Sequence, residues 1–75
     1  MGKIGKRIGE QRLAEFRRVR EVAEELELNT QTLKRWLKED RVDGVVWGRD
    51  RRKWIYIHRD SVNLLRDYRD TIYIA

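Results

Sequence analysis

The sequence predicts a small α+β domain of about three helices with a two-stranded β-hairpin, and three observations carry that expectation. Apolar residues recur at helical spacing in VREVAEELEL, in TQTLKRWLKED, and again after residue 60. Between the second and third of these segments, VVW and WIYI form two β-rich runs separated by GRDRRK. The 75 residues make one domain, which buries somewhat more than about 60% of its unfolded surface. Its core must therefore be small.

The elements follow in order. MGKIGKRIG carries three glycines and three bases with two isolated isoleucines, the composition of a flexible basic arm. No strand precedes these glycines and no Lys-Ser or Lys-Thr pair follows them, so a phosphate-binding loop is not expected. In EQRLAEFRR, Leu13 and Phe16 stand at i, i+3 beside Ala14, which suits either a short amphipathic helix or an extended lead-in. Residues 1–18 are assigned to this arm, 19–68 to the folded domain and 69–75 to a C-terminal extension.

Val19, Val22, Ala23 and Leu26 recur at i, i+3, i+4, i+7, so one stripe of a helix over about residues 20–27 faces inward. Glu21, Glu24 and Glu25 fall on its other face. Leu28 sits in the turn that follows, and Asn29 or Thr30 can cap a second helix over residues 30–40. In that helix Leu33, Trp36 and Leu37 point inward. Gln31, Thr32, Lys34, Arg35 and Lys38 stay outside, with no acid before Glu39.

Asp43-Gly44 then reads as a turn, Val45 to Trp47 as a first strand and Trp54 to Ile57 as a second. The connecting residues 48–53 hold four positive charges and one negative charge and nothing apolar, so they form an exposed tip. His58-Arg59-Asp60 leads into a third helix with Asp60 as its N-cap. Val62, Leu65 and Tyr68 make its inner stripe, with Leu64 beside them. The closing TIYIA has strand character and suits an edge strand or packing against a second subunit. Trp36 and Trp54, on inner faces, are expected in the core. Trp47 stands at the mouth of the hairpin, where core and surface roles are equally open, and His58 reads as a structural link.

The net charge of +5 is unevenly placed. Residues 1–20 carry +5, residues 21–33 carry −4, residues 34–59 carry +5 and the remainder −1. Segregated signs point to a polyanionic partner. The absence of cysteine excludes disulfides and thiolate metal sites and favours an intracellular location. One histidine cannot hold zinc alone. The glutamates at 21, 24, 25 and 27 have no partner set for metal or acid-base chemistry, so they read as an exposed acidic face able to dock a protein. No apolar run is longer than four residues, which excludes a transmembrane helix. No enzyme activity, cofactor, small-molecule ligand or membrane partner is expected.

The segment VREVAEELELNTQTLKRWLKEDRV, followed by VVWG, the basic hairpin and WIYIHRDSVNLL, resembles the excisionase-like and MerR-like winged helix-turn-helix domains over about residues 19–68. Val22 and Ala23 match the inward positions of the first helix, and Leu28-Asn29 match the turn. Thr32-Leu33 and Trp36-Leu37 match the recognition helix, Gly48-Arg49 the opening of the wing and Trp54 the aromatic that follows it. Two positions depart from the pattern: Arg18 stands where a Ser or Thr cap is usual, and His58 where a proline is common. MerR-type regulators continue into a dimerisation helix and an effector domain, whereas this chain runs to Ala75, so a ligand-sensing role is not expected.

The resemblance implies a DNA-binding protein, either a recombination factor of the excisionase kind or a small transcriptional regulator, located in the cytoplasm and on the nucleoid when bound. The residues suggest how the parts divide. Gln31 and Arg35 suit base edges, since glutamine bonds bidentately to adenine and arginine to guanine. Thr32 and Lys34 suit bases or phosphates, Asn29 and Thr30 phosphate at the helix N-terminus, and Lys38 the backbone. Arg49, Arg51, Arg52 and Lys53 suit phosphates or the minor groove, with Lys3, Lys6 and Arg7 extending that contact. A recombinase or a second protomer is a further expected partner. The competing expectation is a protein-interaction module that uses the same fold, with the four glutamates or the TIYIA strand as its docking surface.

Overall fold

A computed structural model describes residues 6–7 and 14–73. They form an α+β domain with strands β1 (Lys6–Arg7), β2 (Phe16–Arg18), β3 (Trp47–Arg49) and β4 (Ile55–His58), and helices α1 (Val19–Glu25), α2 (Thr30–Lys38) and α3 (Val62–Tyr73). The sheet order is β1-β3-β4-β2. β3, β4 and β2 are antiparallel, and β1 lies parallel to β3.

The expected two-stranded hairpin is thus part of a larger sheet. Phe16, Arg17 and Arg18 pair with His58, Ile57 and Tyr56, so these three residues are extended, while residues 10–13 of the same stretch lie outside the described residues. Three residues are too few to show an alternation in sequence; the free edge of β4 supplies the partner. At the other side, Lys6 and Arg7 lie in register with Gly48 and Arg49, so this part of the basic arm is strand rather than loose chain.

Both ends of the helix pair differ from expectation for one reason. α1 and α2 close with the same capping pattern. Leu28 N–H bonds the Ala23 carbonyl and Glu27 N–H that of Glu24, while Arg41 N–H bonds Trp36 and Asp40 N–H bonds Leu37. Glu27 and Asp40 take the left-handed conformation, φ 58° and 54°, in the position glycine usually fills. With no glycine to mark the stop, the expected helices run two residues past the observed ends. At its start α2 is capped by Asn29, whose Oδ1 accepts from Gln31 N–H at 2.8 Å.

The core lies between the three helices and one face of the sheet. Val22, Leu26, Leu33, Ile57 and Leu65 are fully buried, with Trp36, Leu37, Trp47 and Ile55 around them. The Trp36 ring meets Tyr68 of α3 edge-on, with centroids 4.8 Å apart. Arg69 Nη1 reaches back to the Leu26 carbonyl at 2.7 Å, fixing α3 on the end of α1.

Four further expectations are corrected. β3 begins at Trp47, because Val46 gives its N–H to Ser61 Oγ at 2.8 Å and stands exposed. The N-cap after β4 is His58 rather than Asp60: His58 Nδ1 accepts from Asp60 N–H at 3.1 Å, opening a 3-10 turn over Arg59–Ser61 that continues into α3. Thr71, Ile72 and Tyr73 are helical, the last residues of α3, and form no edge strand; residues 74–75 lie outside the described residues. Trp54 is 40% exposed. Ile55 and Ile57 occupy the inner face of β4, and alternation along a strand sends their neighbours Trp54 and Tyr56 to the opposite face.

Candidate nucleic-acid interface

Helix α2 sets its apolar and polar faces opposite one another. Leu33, Trp36 and Leu37 are buried, which turns Gln31, Lys34, Arg35 and Lys38 outward in one strip along the helix. Gln31, Arg35 and Lys38 are exposed, whereas Lys34, Thr30 and Thr32 are half-buried. Among the described residues no carboxylate forms an ion pair with Lys34, Arg35 or Lys38. Asn29 has its side-chain oxygen in the helix cap, and its amide N–H₂ group is the side-chain donor left for an anion.

The β3–β4 hairpin carries Arg49, Arg51, Arg52 and Lys53 in a short, well-braced turn. Lys53 N–H bonds the Asp50 carbonyl at 2.9 Å, and Asp50 N–H bonds that of Trp54 at 3.1 Å. The Asp50 carboxylate accepts the N–H groups of Arg52 and Trp54, each at 2.9 Å. Desolvation pushes the Asp50 carboxyl upward, but these two N–H bonds, the Tyr56 hydroxyl and the Arg52 charge outweigh it and hold it below the usual 3.8. Burial raises the Tyr56 hydroxyl above its ordinary value, helped by the Asp50 charge. Lys53 has φ 70°, which L side chains disfavour. The tip is therefore residues 50–53, and Gly48 and Arg49 belong to β3.

Two aromatic side chains organise the arginines. The Arg49 guanidinium lies over Trp47 at 5.4 Å, so Trp47 joins core packing to surface contact. Arg18 and Arg52 lie over the Trp54 ring at 4.0 and 5.1 Å, inside the range of cation–π attraction.

α2 and the hairpin meet at a cleft of about 390 Å³ whose walls include Arg18, Arg20, Thr30, Lys34, Lys53 and Trp54. It places the strip beside the hairpin. Of the expected binding residues, Thr30, Lys34 and Lys53 line it; Gln31, Arg35 and Lys38 run along the outer face of α2; Arg49, Arg51 and Arg52 stand on the hairpin. Lys3 lies outside the described residues.

Arg18, Arg20 and Trp54 were not among the residues expected to bind. A sequence signal existed for the arginines. Cations at a helix start oppose the positive end of its dipole, and Arg18 occupies the N-cap of α1 with no side-chain cap bond.

The acidic face is partly neutralised within the fold. Glu25 bonds Arg66 of α3 at 2.7 Å and Arg17 of β2 at 3.3 Å. Among the described residues no group of His, Asp or Glu is arranged to hold a metal ion, and no helix is long and apolar enough to cross a membrane. No family model, curated protein or solved structure matches this chain.

Proposed function

We propose that this chain binds double-stranded DNA as a winged helix-turn-helix, with α2 in the major groove and the β3–β4 hairpin on the adjoining backbone. The observation that carries the reading is the acid-free strip of Gln31, Lys34, Arg35 and Lys38, set beside a hairpin bearing Arg49, Arg51, Arg52 and Lys53. From Gln31 to Lys38 the strip rises about 10 Å along the helix, the stacking height of about three base pairs. Gln31 at its N-terminal end and Arg35 near its centre, both exposed, take base edges. Lys34 and Lys38 take phosphates, as do the cations of the hairpin.

Within this reading the chain acts as an excisionase-like recombination factor or a small transcriptional regulator, with a recombinase or a second protomer as protein partner. The resemblance of residues 19–68 to those domains supports it. A protein-docking role is less favoured, because Glu25 already holds two arginines and Thr71 to Tyr73 are helical.

Fluorescence anisotropy on random and selected duplexes tests the proposal. If six to ten cations meet phosphates, affinity falls about 10³- to 10⁵-fold between 50 and 200 mM salt. Arg49, Arg51 and Arg52 changed together to Ala should weaken binding to every duplex, whereas Arg35→Ala should alter sequence preference. Binding indifferent to salt and to both changes refutes the DNA role and leaves the protein-docking one. A neighbouring integrase gene would favour the recombination role; a neighbouring divergent promoter would favour regulation.

A further inference from the structure

The cleft between α2 and the hairpin joins four cations from three elements: Arg18 and Arg20 at the start of α1, Lys34 on α2 and Lys53 at the hairpin tip. Among the described residues none of the four has a carboxylate in an ion pair. Like charges gathered at one cleft repel one another, and an anion removes that penalty.

The local structure explains how Arg18 comes to lie there. It pairs across the sheet with Tyr56, so Trp54, two residues before Tyr56, is its diagonal neighbour on the same face. Diagonal neighbours are within reach of long and aromatic side chains. The guanidinium rests 4.0 Å from the Trp54 ring centre, and that of Arg52 lies 5.1 Å away on the hairpin side. A guanidinium held over a ring still has N–H groups to offer an acceptor. A planar ring exposed at 40% thereby fixes two flexible side chains that would otherwise lose rotamer freedom on binding.

We infer that this cleft is a clamp for one phosphodiester of the DNA backbone, gripped by Arg18 together with Lys34 and Lys53, and that Trp54 is a positioning residue that orients Arg18 and Arg52. The clamp rests on the DNA reading and adds to it a contact from the start of α1, outside both the helix strip and the hairpin. It fixes the register of α2 in the groove, because its phosphate is gripped from both sides of the helix-hairpin junction.

The test uses the full chain and a duplex selected from a random pool, with binding measured by anisotropy at several salt concentrations. Arg18→Gln should weaken binding and lower the salt slope by about 0.9, the value of one phosphate contact. Trp54→Leu, which removes no charge, should weaken binding by a similar factor, and Trp54→Phe should restore most of the loss by keeping an aromatic face. Phosphates are then replaced one at a time by neutral methylphosphonates. One position should weaken the wild-type chain at least severalfold and leave Arg18→Gln unaffected. Unchanged binding in Arg18→Gln or Trp54→Leu, equal loss in Trp54→Phe and Trp54→Leu, or no such position overturns the clamp, while the responses of Arg35→Ala and the hairpin triple variant keep the groove reading intact. A wild-type chain that binds no duplex overturns both.

Discussion

Lys53 combines a strained backbone with a charge at the proposed interface, and the two can be separated by substitution. Its φ of 70° places an L residue in the left-handed region, which costs about 1–2 kcal/mol. Glycine relieves that cost and loses roughly 0.5–1 kcal/mol in chain entropy. Lys53→Gly should therefore be more stable than the parent, by about 0.75 kcal/mol at the middle of both ranges and by at most about 1.5 kcal/mol. For a domain of this size about 1 kcal/mol corresponds to roughly 4–8 °C in Tm, so melting followed by circular dichroism should show a rise of several degrees. Lys53→Ala is the control, because it removes the same charge and keeps the strain. Both variants should lose about 0.9 of the salt slope on DNA, so that their affinities fall about 3.5-fold less than the parent's between 50 and 200 mM salt. An Ala variant melting at or above the Gly variant refutes the account of the turn. An unchanged slope in both removes Lys53 from the interface.

Two further outcomes follow from the core and the hairpin. Trp36→Ala should destabilise the domain by about 3–5 kcal/mol, a large part of what a chain of this length holds; a loss below about 1 kcal/mol in urea unfolding would show that the Trp36–Tyr68 contact does not anchor α3. Because the Asp50 carboxyl is held below its ordinary 3.8, its contribution is fully present above that value and is lost as pH falls through the lowered one. Hydrogen exchange of the Arg52 and Trp54 amides, compared across pH below about 4 against Asp50→Asn, should show protection falling with acid in the parent alone. Equal acid sensitivity in both would place the cause elsewhere.

Much of this architecture was legible because strong periodicity has only one packing solution. Val22, Ala23 and Leu26, then Leu33, Trp36 and Leu37, are buried as their spacing requires, and Asp43-Gly44 forms the expected turn with Gly44 at φ 83°. What escaped depends on information that local patterns do not contain. Phe16 to Arg18 are a strand only because β4 lies beside them, and Glu27 and Asp40 end their helices without the residue that usually marks an end. Trp54 shows a different failure. An inner-face position would put it in the core, yet Ile55 and Ile57 hold the inner face of β4 and strand alternation turns Trp54 to the other one. The strip on α2 could be read from sequence for the same reason its core could. The cleft could not, since Arg18 and Trp54 are brought together by strand register.

β2 has a mechanical consequence. It fastens to β4, and Glu15 just before it reaches His58, 43 positions along the chain, at 3.4 Å. Everything from α1 to the hairpin is thus enclosed in one long loop. Closing such a loop is entropically costly before any contact rewards it, so this seam is expected to zip late in folding and to open early. Arg18 is the last residue of the seam, while Lys34 lies inside the enclosed loop. An anion shared between them would bridge the opening edge and act as a latch, making the domain harder to unzip when it is bound than when it is free.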